Sequence, residues 1–347
     1  MKTFKPHGKV GLYVAFVACA WGLVGCGPSN EPLPKAWLSE NSLFTSYIET
    51  PKTLDSVSSY SNNETPWTYS VYEPPLKYHY LKRPYELQPR TLAELPTVAY
   101  LDKQGRELPA DTPAGQIAES VFELKLQPGI QFQPHPAFAT NDKGEPLYLS
   151  LTEAELGDKR SPLAFDKMGS RELTAEDYAY AIRRLATPRV KSPAFGFLSE
   201  KIVGLADYGK KIKKFNEEIK SGKTAREAGF FGHLPWLDFR AHPFEGVQVV
   251  DKHTLRIRVI GKYPQFKYWL AMTFFAPVAW EVDAFYAQPG MKRRNLTADT
   301  WPVGTGPFML TEYVPNARMV LSRNPNYRTV PYPCEGEATD QAKGLLN

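Results

Sequence analysis

Trp301-Pro302-Val303-Gly304-Thr305-Gly306-Pro307-Phe308-Met309-Leu310-Thr311-Glu312-Tyr313-Val314-Pro315-Asn316-Ala317-Arg318-Met319-Val320-Leu321-Ser322-Arg323-Asn324-Pro325-Asn326-Tyr327 is the most informative stretch of this chain. A Gly/Pro-rich turn leads into a strand-like run, Phe308–Tyr313. The chain reverses at Pro315-Asn316 and returns through Arg318–Ser322, which predicts a β-hairpin. Gly304 and Gly306 stand where a chain enters a strand. A residue without Cβ is needed there if φ is positive or if another backbone approaches closely.

Working outward, Gly246–Val250 and Thr254–Ile260 flank Asp251-Lys252-His253 and predict a second hairpin. Leu255, Ile257 and Val259 alternate with Arg256 and Arg258, so one face is buried and the other wet. Thr174 to Leu185 predicts a helix. Thr174 and Asp177 form a capping-box pair, Tyr178, Ile182 and Leu185 recur at helical spacing, and Pro188 ends the run. Asp207–Gly222 is a second helix candidate, rich in lysine, whose mixed charge marks a solvated face. Phe266, Trp269 and Leu270 have the spacing of a buried helical stripe. Upstream, Phe44–Ile48 alternates as a strand, Ser56–Thr65 is a polar loop, and Val121–Leu126 with Ile130–Phe132 predicts a hairpin around Pro128-Gly129.

The N-terminus has a different character. Lys2, Lys5 and Lys9 precede Val10–Leu23, an uncharged and mostly apolar run of 14 residues. That is too short for a membrane span, which needs about 20 apolar residues, and it fits the core of a secretory signal. Leu23-Val24-Gly25-Cys26 resembles a lipobox, which implies cleavage before Cys26, lipidation of its sulfur and a location in the periplasm or at the cell surface. Residues 1–25 are thus expected to be a signal peptide and 26–42, polar and Pro-rich, a tether.

The chain has 347 residues, 42 basic and 37 acidic, and carries about +2 once the three signal lysines are removed. Such a balance leaves no electrostatic footprint for nucleic acid. Among three cysteines, Cys19 falls in the signal and Cys26 in the lipobox, which leaves Cys334 with no intramolecular partner. Catalytic patterns are missing: there is no G-x-S-x-G elbow, no H-E-x-x-H helix and no C-x-x-C pair. Gly304-Thr305-Gly306 lacks the third glycine of a dinucleotide fingerprint and opens a strand. His79, His135, His233, His242 and His253 are scattered, without the close pair usual in a metal site. No catalytic residue, metal site or cofactor is therefore expected.

The string P-V-G-T-G-P-F-x-L-x-E-Y-x-P-x-x-R-x-V-L-x-R-N-P-x-Y resembles the signature of the bacterial extracellular solute-binding proteins of family 5, the peptide and nickel binders that serve ABC importers. Glu49–Asp55 resembles that family's first turn, Tyr72–Leu76 its "vYEpL" element, and Leu173–Pro188 its "lTAeDv" helix. The resemblance covers nearly all of residues 43–335. It implies an α/β fold of periplasmic-binding-protein type (type II, peptide-binding), in which a first lobe with a mixed β-sheet carries an inserted β-rich subdomain. Residues 43–72 and 247–330 would form the main subdomain, 73–246 the insert, and 331–347 the start of a following region. The chain stops some twenty residues after Tyr327, so the second lobe is expected to be missing and an isolated first lobe to bind peptide weakly.

The function implied is capture of oligopeptides outside the cytoplasm and their delivery to the transmembrane subunits of an ABC permease. Nickel chelates, sugars and antimicrobial peptides are alternative cargoes; a secreted hydrolase, a chaperone and a sensor are alternatives of other classes. A binder of many peptide sequences holds its ligand through main-chain hydrogen bonds, which leave little trace in side-chain identity. The resemblance implies that Tyr60, Ser61 and Asn62, after the Leu54-Asp55 turn, line the cleft, although they also fit an ordinary polar loop. Phe195, in Ser192-Pro193-Ala194-Phe195, would supply an apolar wall, with Ala194 competing for that position.

Overall fold

In a computed structural model, residues 41–221 and 236–344 are described. The chain divides into two compact units, Met1–Tyr47 and Ile48–Asn347. Signal, lipobox and most of the tether lie outside the described residues, as does His233. Residues 41–47 form neither helix nor strand, so the strand expected at Phe44–Ile48 is not formed. Leu43 and Ile48 are exposed, and among the described residues no strand pairs with this segment.

The second unit is α/β. Its longer elements are α1 (Thr65–Val71), α2 (Ala175–Arg184), α3 (Phe195–Ser199), α4 (Leu205–Lys220) and α5 (Trp280–Tyr286). The strands are β1 (Leu76–Tyr78), β2 (Leu87–Pro89), β3 (Thr97–Leu101), β4 (Glu107–Leu108), β5 (Glu119–Lys125), β6 (Val247–Asp251), β7 (Thr254–Ile260), β8 (Phe308–Val314) and β9 (Arg318–Arg323). Strands β4-β3-β5-β7-β6 form one sheet, while β1-β2 and β8-β9 are separate two-stranded ribbons. Every pairing among these strands is antiparallel.

The alternation in β7 sets the sheet's two faces. Leu255, Ile257 and Val259 are fully buried beside Phe122 and Leu124 of β5, each contributing roughly 1.5–3 kcal/mol of apolar burial. On the opposite face Arg256 and Arg258 donate to Glu123 and Glu119 of β5 at 2.8 and 2.7 Å. Helix α2 packs on the buried face; its capping box is present, and its apolar side (Tyr178, Ile182) enters the core. Ile130–Phe132 does not turn back onto β5. β5 has both edges filled by β3 and β7, so Leu173 and Phe132 close the alternative bonds, Leu173 N to Ile130 O and Phe132 N to Arg171 O. The division expected near residue 247 would place β5 and β7 in different subdomains; they are hydrogen-bonded neighbours in one sheet.

The hairpin is formed by β8 and β9, with Asn316 at φ 58° in its turn. Before it, Gly304 and Gly306 press against the end of α1. A Cβ on Gly304 would sit 2.1 Å from the Val71 carbonyl oxygen, and one on Gly306 2.6 Å from it. The Gly306 amide donates to that same oxygen at 2.8 Å. Close backbone approach, and not positive φ, is what these two glycines provide.

Candidate ligand-binding site

The loop after Asp55 is built around one buried carboxylate. Glu64, 3% exposed, accepts at Oε2 from Ser59 Oγ (3.0 Å) and from the amides of Tyr60 and Ser61 (both 3.1 Å). Its Oε1 accepts from the Thr53 amide. The Ser61 carbonyl receives the amides of Glu64 and Thr65 and so starts α1, with Pro66 in the first turn where its missing N–H costs nothing. The result is a pinned loop that presents Tyr60, Ser61 and Asn62 to solvent. The Tyr60 ring is 69% exposed, with its centroid 5.6 Å from that of buried Phe274. The Ser61 hydroxyl is turned to Asn63 Oδ1.

Phe195 lies elsewhere, half-buried at the start of α3. Its ring fills the space over Gly209 of α4, where a Cβ would meet Phe195 Cζ at 2.4 Å. The three loop residues are thus brought together, while Phe195 is committed to α3–α4 packing. Neither the loop residues 60–62 nor Phe195 line the cavity that lies beside Asp55.

That cavity, of about 290 Å³, lies among Asp55, Arg184, Asp283, Asp299, Asn216 and Trp236. Arg184 is held on both sides, donating to Asp55 at 2.7 Å and to Asp283 at 3.0 Å. Burial alone would lower its pKa, but the two carboxylates raise it on balance. Asp283 also accepts from the Tyr180 hydroxyl (2.7 Å) and the Trp236 indole (3.0 Å). Asp299 has its pKa raised, chiefly by burial, with the Thr53 hydroxyl bond opposing. Asp55 stood in the quoted turn and Arg184 in the quoted helix, but nothing local in sequence marks Asp283 or Asp299 as their neighbours. A further ionic cluster joins the buried Glu73 carboxylate to Arg90 and Arg328 at 3.3 and 2.7 Å. Among the described residues, no group of three or more His, Cys, Asp or Glu could hold a metal ion, and no helix is long and apolar enough to cross a membrane.

A sequence profile of the bacterial extracellular solute-binding proteins, family 5 (middle region), matches residues 169–341. The chain belongs to this family. The periplasmic oligopeptide-binding protein OppA of Salmonella typhimurium is 23% identical over 215 residues, which are 62% of this chain and 32% of that protein. This chain therefore spans about a third of the length of the curated relative it matches. Among solved structures, peptide-bound OppA of Listeria monocytogenes is similar with a TM-score of 0.46 at 15% identity, covering 80% of this chain and 38% of that one. The substrate-binding domain of a Bacillus anthracis oligopeptide ABC transporter is similar with a TM-score of 0.47 at 14% identity, covering 82% and 38%.

Proposed function

We propose that this protein is an extracytoplasmic solute-binding lipoprotein that captures oligopeptides and hands them to an ABC permease. The family match over residues 169–341 carries the reading, and the OppA relative directs it towards peptide. Cys26 would carry the lipid that keeps the protein at the membrane; a single acyl chain anchors only marginally, so two or more are needed.

The geometry that suits this role is the loop at 59–62. Binding residues concentrate on loops held by a rigid scaffold, and Glu64 fixes this one through its backbone. Tyr60 offers a flat aromatic face with its back already packed on Phe274, so a ligand side chain could stack on it with little loss of side-chain freedom. Asn62 offers amide donors and acceptors beside it. Phe195 would contribute the part of its ring not packed on Gly209. The reading requires no catalytic residue, metal or cofactor.

Peptide titration calorimetry on the complete gene product tests the loop's part. Tyr60→Ala should weaken binding of a mixed peptide pool about fivefold or more, the loss typical of an aromatic contact at an interface. Unchanged affinity would remove the loop from the binding site.

A further inference from the structure

We propose that the cavity beside Asp299 is a separate binding site for a small organic cation, a primary ammonium or guanidinium group on a short apolar stem. The proposal does not rest on the peptide reading. The cavity's volume of about 290 Å³ falls at the lower end of small-molecule pockets.

Its charge pattern selects the ligand. Asp55, Asp283 and Asp299 line the cavity together with Arg184 and Arg189. Arg184 is shared between the first two, at 2.7 and 3.0 Å. Asp299 receives the Thr53 hydroxyl at 2.5 Å, and no Lys or Arg among the described residues forms an ion pair with it. Arg184 is taken up by Asp55 and Asp283, so the carboxylate left for a cation is that of Asp299, at the solvent-exposed side of the cavity.

A second, independent observation points the same way. Asn216, on α4, also lines the cavity and is 4% exposed. Its amide orientation is fixed, because Nδ2 donates to the Ile212 carbonyl at 2.9 Å and to Thr187 Oγ1 at 3.3 Å. Its Oδ1 is thereby an acceptor, buried and without a partner among the described residues. Buried acceptors are almost always satisfied, and an ammonium with three donors or a guanidinium with five brings donors to such an acceptor. Trp236, Tyr72, Tyr286 and Val282 complete the wall. They supply apolar surface for the stem and aromatic faces that favour a cation.

The test is calorimetric titration of the complete protein with n-butylammonium and agmatine, against neutral 1-butanol and anionic butyrate. The expected result is that both cations bind at least about tenfold more tightly than butanol or butyrate, as a charge-assisted hydrogen bond provides. Asp299→Asn should remove that advantage, and Asn216→Ala should weaken the cations severalfold. Cations binding no better than butanol would overturn the proposal, as would cation affinity unaltered in a folded Asp299→Asn protein. If Asp299→Asn does not fold, the comparison of the four probes on the unaltered protein decides.

Discussion

Replacing Gly304 by alanine should be among the most damaging single-methyl additions this fold can receive. The new Cβ would lie 2.1 Å from the Val71 carbonyl oxygen, 2.8 Å from its carbon and 3.1 Å from Tyr72 Cδ1. The first two are backbone atoms and cannot rotate away. Relief requires the 303–306 segment to separate from the end of α1, and three hydrogen bonds depend on that contact. They are Gln133 N to Gly304 O (2.9 Å), Gly304 N to Gln133 Oε1 (3.2 Å) and Gly306 N to Val71 O (2.8 Å). Overpacking costs about 1–3 kcal/mol, and each buried bond weakened adds about 1 kcal/mol. A total of about 4–6 kcal/mol is a large part of the roughly 5–15 kcal/mol that holds a domain folded. Urea unfolding followed by circular dichroism should show the midpoint falling by about 1 M or more. Gly196→Ala is the matched control: its Cβ meets nothing within 4 Å and the site is helical, so it should be neutral or stabilise by up to about 1 kcal/mol. Equal midpoints for the two variants would refute the close-approach argument.

His135 predicts a pH dependence. Burial lowers its pKa from 6.5 to about 3, and it is held neutral between the Ala137 amide at Nδ1 and the Tyr286 hydroxyl at Nε2. The unfolded chain binds this proton near pH 6.5 and the folded chain does not. Stability is therefore complete above pH 6.5 and falls by about 1.4 kcal/mol per unit as pH drops towards 3. His135→Gln should flatten that slope, and urea midpoints that run parallel for variant and parent between pH 7 and 4.5 would contradict it. At the N-terminus, mass spectrometry of the membrane-purified protein should find the chain starting at an acylated Cys26; an unmodified thiol there would exclude the lipoprotein assignment.

The hairpins and α2 were legible because their determinants are local. Turn residues bracket β8 and β9, period-two alternation marks β7, and Thr174 and Asp177 cap α2 within one turn. Helix α1 was hidden, since Trp67, Thr68 and Tyr69 favour strands and its start is specified by Glu64 reaching back to residues 59–61. Phe44–Ile48 failed the other way, alternating without a partner strand among the described residues. The site was legible only in part. Tyr60, Ser61 and Asn62 came from a family resemblance, while Arg184 meets Asp55 and Asp283 across 129 and 99 residues of sequence. No spacing rule reports a contact that the sheet and α2 must first create.

The central claim is that peptide is the cargo. It is tested most directly by identifying what the protein carries when isolated, as its complete gene product, from the cells that make it. Native mass spectrometry, followed by denaturation and sequencing of the released ligand, should recover a mixture of short peptides with varied side chains, as main-chain recognition allows. Recovery of a single non-peptide solute, such as a metal chelate or a sugar, would contradict it.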